Sequence, residues 1–167
     1  MKQLLLSLSI LSILIISSCG KDDGVSVSNQ ITIGDQTYDI EGAGFLSVGD
    51  TDGISEGVFA LSDANVSISG SSFSISTSSD IRVIFNLASL GDGGLDSGDY
   101  SEGDVLSPDA GKVFFIQLIQ ADGTTYSVTG GKIKLSGSSP NFTVSFNLNL
   151  DGGDKLTGGF SGEFATN

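Results

Sequence analysis

The chain reads as an all-β protein, an antiparallel meander closed as a small barrel or folded as a β-sandwich. Three observations carry this. From Gln30 onward apolar and polar residues alternate with period two, and no stretch repeats at helical spacing. The alternating runs are short and are separated by Gly, Asp, Asn and Ser, the residues that reverse a chain with least backbone strain. Ten phenylalanines among many Ile, Val and Leu supply a core, which argues against the disorder that 24 glycines and abundant serine would suggest. Counting the runs predicts on the order of nine or ten strands.

Residues 1–29 stand outside that pattern. Lys2 gives a positive start, residues 4–16 are an apolar run broken only by Ser7, Ser9 and Ser12, and Ser17 and Ser18 set small side chains before Cys19. The run is shorter than the roughly 20 residues that a spanning helix needs. It resembles the signal of bacterial lipoproteins. The resemblance implies that residues 1–18 are removed, that the Cys19 thiol takes a diacylglycerol, and that the new amine is acylated. Several chains make such an anchor stable, because each buried methylene adds about 0.8 kcal/mol. Cys19 is also the sole cysteine, so no disulfide forms within the chain and a packed core has to supply its stability. Lys21, Asp22 and Asp23 resemble the Lys-acidic-acidic export signal of Bacteroidetes surface lipoproteins, which implies the outer face of the outer membrane. Residues 19–29 are then a lipidated flexible tether, and residues 30–167 a single domain of ordinary size.

Within the domain, residues 31–33 and 36–40 form a hairpin across Gly34-Asp35, a pair that accepts positive φ. Residues 42–48 and 57–62 flank an acidic loop at 49–56. Val66 and Ile68, then Phe73 and Ile75, alternate with serines around Gly70-Ser71-Ser72 and make a second hairpin. Residues 80–88 (DIRVIFNLA) and 112–121 (KVFFIQLIQA) are apolar on both faces, which predicts central, deeply buried strands. Between them, residues 89–111 are rich in Gly, Asp and Ser and longer than most connections, with a short edge strand expected around Tyr100. Asp122-Gly123 turns the chain into residues 124–135, where Gly130-Gly131 marks a bulge.

The clearest alternation comes last. Phe142, Val144, Phe146, Leu148 and Leu150 share one face opposite Thr143, Ser145, Asn147 and Asn149. After a reversal at 151–154, Leu156, Gly158, Phe160, Gly162 and Phe164 continue an apolar or small face. A slip of one residue would expose every phenylalanine, so this register is strongly specified. The outward Ser, Thr, Asn and Lys exclude a membrane-spanning barrel, whose outer surface is apolar. This hairpin succession resembles the small lipocalin-like barrels and favours a barrel over a sandwich. The stretches 125–131, 142–148 and 156–162, with the opening hairpin at 34–38, resemble small Bacteroidetes lipoproteins, a likeness that implies a fold and no activity.

Twenty acids against seven bases, a formal charge of −13, repel nucleic acid and anionic headgroups, so membrane contact is expected through the lipid anchor only. With no histidine, and with the one thiol in the lipid signal, Ser-His-acid and Cys-His nucleophiles and the usual zinc sites are excluded. Paired carboxylates could serve a glycosidase, but the acids stand almost all beside Gly or Ser in turns. Asp50, Asp52, Gly53 and Glu56 resemble part of a calcium loop, with Val48 where a further acid should stand, and residues 91–104 have the Gly-Asp rhythm of calcium-binding β-rolls without their period. Structural calcium is an option beside the simpler reading of acidic turns; no other cofactor is implied. Tryptophan is absent, leaving Tyr38, Tyr100 and Tyr126 as rings for a glycan platform. The sequence thus predicts a lipid-anchored, non-catalytic surface protein that binds a protein or glycan through residues 89–111. The alternatives are an inhibitor that meets the cationic cleft of a basic enzyme such as lysozyme, or a glycan-binding module.

Overall fold

A computed structural model of the chain describes residues 27–91, 93–105 and 111–167. It opens with β1 (Gln30–Ile33), β2 (Gln36–Asp39), β3 (Gly42–Thr51) and β4 (Ile54–Ser62). A separate hairpin follows, β5 (Val66–Ser69) and β6 (Ser72–Ile75). Next come β7 (Ile81–Leu90), β8 (Gly98–Glu102), β9 (Lys112–Ala121) and the two-residue β10 (Thr124–Thr125). The last three are β11 (Val128–Ser138), β12 (Asn141–Leu150) and β13 (Lys155–Glu163). One large sheet has the order β2-β1-β13-β12-β11-β8-β9-β7-β4-β3, with β10 added to β9, and β5-β6 forms a small second sheet. The fold is all-β, as the alternation predicts.

The large sheet curls strongly into a barrel-like shape. Its edges are joined in two ways. β2 runs through Ile40 and Glu41 straight into β3, so one stretch of chain supplies both outermost strands. Just beyond β13, Ala165 bridges Gly44: the Phe45 N–H donates to the Ala165 carbonyl at 2.8 Å, and the Ala165 N–H donates to the Ala43 carbonyl at 2.9 Å.

The inward positions of nearly every strand converge on one apolar cluster. Phe59 lies at its centre, stacked on Phe85 and edge-on to Phe142 and Phe164, with centroids 5.2 to 5.7 Å apart. Such offset and perpendicular contacts are the favoured aromatic geometries. Phe142, Val144, Phe146, Phe160 and Phe164, the core expected from the last alternation, are all buried. These rings occupy the interior.

Three expectations change. The acidic loop at 49–56 is much shorter: Thr51 pairs with Ile54, and only Asp52 and Gly53, at φ +53 and +75, make the turn. The strand around Tyr100 is not an edge. β8 is inserted between β9 and β11, parallel to β9 at Ser101–Val113, because fully buried Tyr100 carries it into the core. Finally, β7 and β9 are central in the sheet but covered only in part on their outer side. Phe115 is 53% and Leu90 52% exposed.

Candidate functional site

The outer side of β3, β4, β7 and β9 is laid out by register. One row across it is Gly44, Ala60, Ile84 and Leu118; the next is Leu46, Val58, Asn86 and Phe115. The β5-β6 hairpin covers the first row at its β3 end. A Cβ on Gly44 would come within 2.8 Å of Val66 and 2.9 Å of Phe73, so glycine here is what lets the hairpin sit down on the sheet. Arg82 ties the hairpin to β7 by donating to the Ser76 carbonyl at 2.8 Å. In the second row Leu46 and Asn86 are buried, Val58 is half-buried and Phe115 is exposed. Around this row lie Val48, Leu90 and Phe115, the exposed large apolar side chains among the described residues, interrupted by a polar string in which Gln117 donates to Asn86 and Asn86 to Glu56.

Phe115 also borders a slot through the wall. β10 leaves β9 after the Tyr126 N–H donates to the Ile119 carbonyl at 2.9 Å, and the chain diverges from β9 into β11. β8 enters the same wedge from the other end, finishing where the Gly103 N–H donates to the Phe114 carbonyl at 3.1 Å. β9 also carries a bulge at this level: Ile84 pairs with Leu118 and Phe85 with Ile116, which leaves Gln117 extra. The result is a groove of about 300 Å³ lined by Glu102 and Gln117 and by half-buried Ile116, Tyr126 and Val128 that pack against the core.

A second polar cluster lies between β4, β5 and β7. The Asp63 carboxylate accepts from the Ser79 hydroxyl at 2.7 Å and from the Asp80 and Ile81 N–H groups at 3.0 and 3.2 Å, and the Ser62 hydroxyl donates to the Ile81 carbonyl at 2.9 Å. Partial burial would raise the pKa of Asp63, but the hydrogen bonds from Ser79, Asp80, Ile81 and Ser62 outweigh it and hold the group below the usual carboxylate range. So weak a base does not activate a serine; the cluster pins the β4-β5 corner to the start of β7.

The residues singled out by sequence fare differently. Cys19, Lys21, Asp22 and Asp23 lie outside the described residues. No helix among the described residues is long and apolar enough to cross a membrane. Of the calcium options, Asp52 sits in a tight turn and Glu56 is engaged by Asn86, and no group of three metal-ligating side chains occurs among the described residues. Residues 89–111 are tied down along most of their described length. The Ser55 hydroxyl donates to the Gly91 carbonyl at 2.7 Å, the Asp96 N–H donates to Ser89 Oγ at 3.2 Å, and Lys112 Nζ donates to the Ser97 carbonyl at 2.7 Å. Residues 92 and 106–110 lie outside the described residues.

Of the three tyrosines, Tyr100 is a core residue whose hydroxyl donates to the Asp96 carbonyl at 2.5 Å; burial pushes its pKa up to about 12. The Tyr38 hydroxyl donates to Asp122 Oδ2 at 2.7 Å, and burial together with this carboxylate raises its pKa well above the usual value. Only Tyr126 lines the slot, so the three do not form a platform. Sequence reasoning missed Glu102 and the slot itself. The signal for Phe115 lies in the two-sided pattern of residues 112–121, which predicts burial where the structure leaves the ring exposed. No protein-family model, curated protein or solved structure matches the chain.

Proposed function

We infer that this is a lipid-anchored, non-catalytic binding protein displayed at the cell surface, whose ligand meets the outer wall around β9. One observation carries the reading: the exposed large apolar side chains among the described residues, Val48, Leu90 and Phe115, all stand on this one wall, and Phe115 lines a groove in it. Large apolar side chains gathered on one exposed face are a mark of interaction sites in soluble domains. The chain lacks histidine, and the carboxylate of the Ser62-Asp63-Ser79 cluster is a weak base, which supports binding over catalysis. Cys19 and its flanking residues support the anchor, and Lys21, Asp22 and Asp23 the surface address.

Intact-mass analysis of membrane-extracted protein should find residues 1–18 removed and diacyl and N-acyl groups on Cys19. Protease treatment of whole cells should shave the domain, and alanine at Lys21, Asp22 and Asp23 should protect it while leaving the lipid in place. An unmodified Cys19, or shaving unchanged by the triple substitution, overturns the corresponding half of the reading.

A further inference from the structure

We propose that the slot between β9 and β11 docks a lysine or arginine side chain carried on an extended segment of a partner protein. This rests on the reading of the chain as a binding protein and adds the chemistry of the ligand. The first argument is the interrupted ladder. Between the Phe114 and Ile119 carbonyls, which bond to Gly103 and Tyr126, the edge of β9 at residues 115–118 has no strand partner on this side among the described residues. The facing edge of β11 at residues 128–131 has none either. Backbone groups left open at a sheet edge are satisfied by an added extended segment, which is how many domains take peptides.

The second argument is the side-chain chemistry. Ile116, Tyr126 and Val128 give the groove a half-buried apolar floor, suited to the methylene stem of a basic side chain. Glu102, an exposed residue, also lines the groove. Strand alternation places it on the same side of β8 as buried Tyr100, and its carboxylate has no hydrogen-bond or ion-pair partner among the described residues. The nearby cation is already taken, since Lys132 pairs with Asp99 at 3.4 Å. Tyr126 also lines the groove, and an aromatic ring there would attract a cation. A charge of −13 over the chain then draws basic partners toward the slot.

The test is titration of the full chain, extracted in detergent, with a fluorescent Val-Lys-Val-Lys-Val peptide and with Val-Glu-Val-Glu-Val. The lysine peptide should bind and the glutamate peptide should not. Glu102→Gln should weaken binding at least tenfold, while Glu163→Gln, the same charge change at the far end of β13, should leave it unaltered. Equal weakening by both variants would reduce the effect to net charge and overturn the slot, as would an unchanged Glu102→Gln or no binding of the lysine peptide. Peptide binding that persists in a protein found unlipidated or unexposed would count against the surface-anchor reading alone.

Discussion

The wall made of β11, β12 and β13 and the wall made of β4, β7 and β9 face one interior and differ in what they turn outward. The first shows water Lys132, Lys134, Thr143, Asn147, Thr157 and Ser161; the second shows Val58, Ile84, Leu90, Phe115 and Leu118. Inside, the two are equivalent. Phe85 from one and Phe146 from the other meet edge-on at 5.2 Å, and both are buried. Stability therefore draws on inward positions of both walls, while the exposed large apolar side chains stand on the outward positions of one. A strand that is apolar on both faces does not have to be covered on both.

The comparison breaks most readily inside. Phe85→Ala and Phe146→Ala should each cost about 3 to 5 kcal/mol in denaturant titrations, the usual cost of emptying a buried ring site. Because the rings touch, the double variant should lose less than the sum. Additive losses, or a small loss on one wall only, would mean that the walls do not share a core.

A smaller effect is expected at the corner held by Asp63. Asp63→Ala should cost about 1 to 3 kcal/mol at neutral pH, the range for hydrogen bonds to a charged group. The folded pKa of Asp63 is depressed, so its contribution is complete above the unfolded pKa and is lost as pH falls through the folded one. Wild type and variant should converge in stability under acid conditions; a gap that stays constant would mean that the carboxylate acts by packing alone.

The smallest change in stability, and the sharpest contrast, is expected outside. Phe115→Ser and Asn147→Ser should each shift stability by no more than about 0.5 kcal/mol, as for ordinary surface positions. Only the first should reduce binding of an apolar dye or of a partner. If Asn147→Ser did the same, the division of labour between the walls would fail.

Most of the fold was legible because it is written in local pairs. Gly34-Asp35, Gly70-Ser71 and Asp122-Gly123 are turns where the residue types demand them, and the Gly130-Gly131 bulge appears as a register shift between Val128 and Gly130 with φ of +143 and +124. The site was less legible. Tyr100 in a run of Gly, Asp and Ser gives no local sign that it will be fully buried, because burial depends on β9 and β11 standing one strand apart. Glu102 matters only because β8 stops there. A gap in a ladder is a property of three strands together, and alternation within any one of them cannot announce it.

The bridge between Gly44 and Ala165, and the pairing of β1 with β13, also set a schedule. Among the described strands β1 is flanked by β2 and by β13 from the far end of the domain, which has to be in place to cover it. Until then β1 and β2 are a lone hairpin, a unit too small to be stable in water, and the far edge of the sheet at β3 is open to pairing with other chains. Loop closure over nearly the whole domain has to precede the contacts that reward it, which slows folding. The residues just past β13 hold β3 through Ala165 and so act as a latch. The domain stays most vulnerable to aggregation and proteolysis until that contact is made.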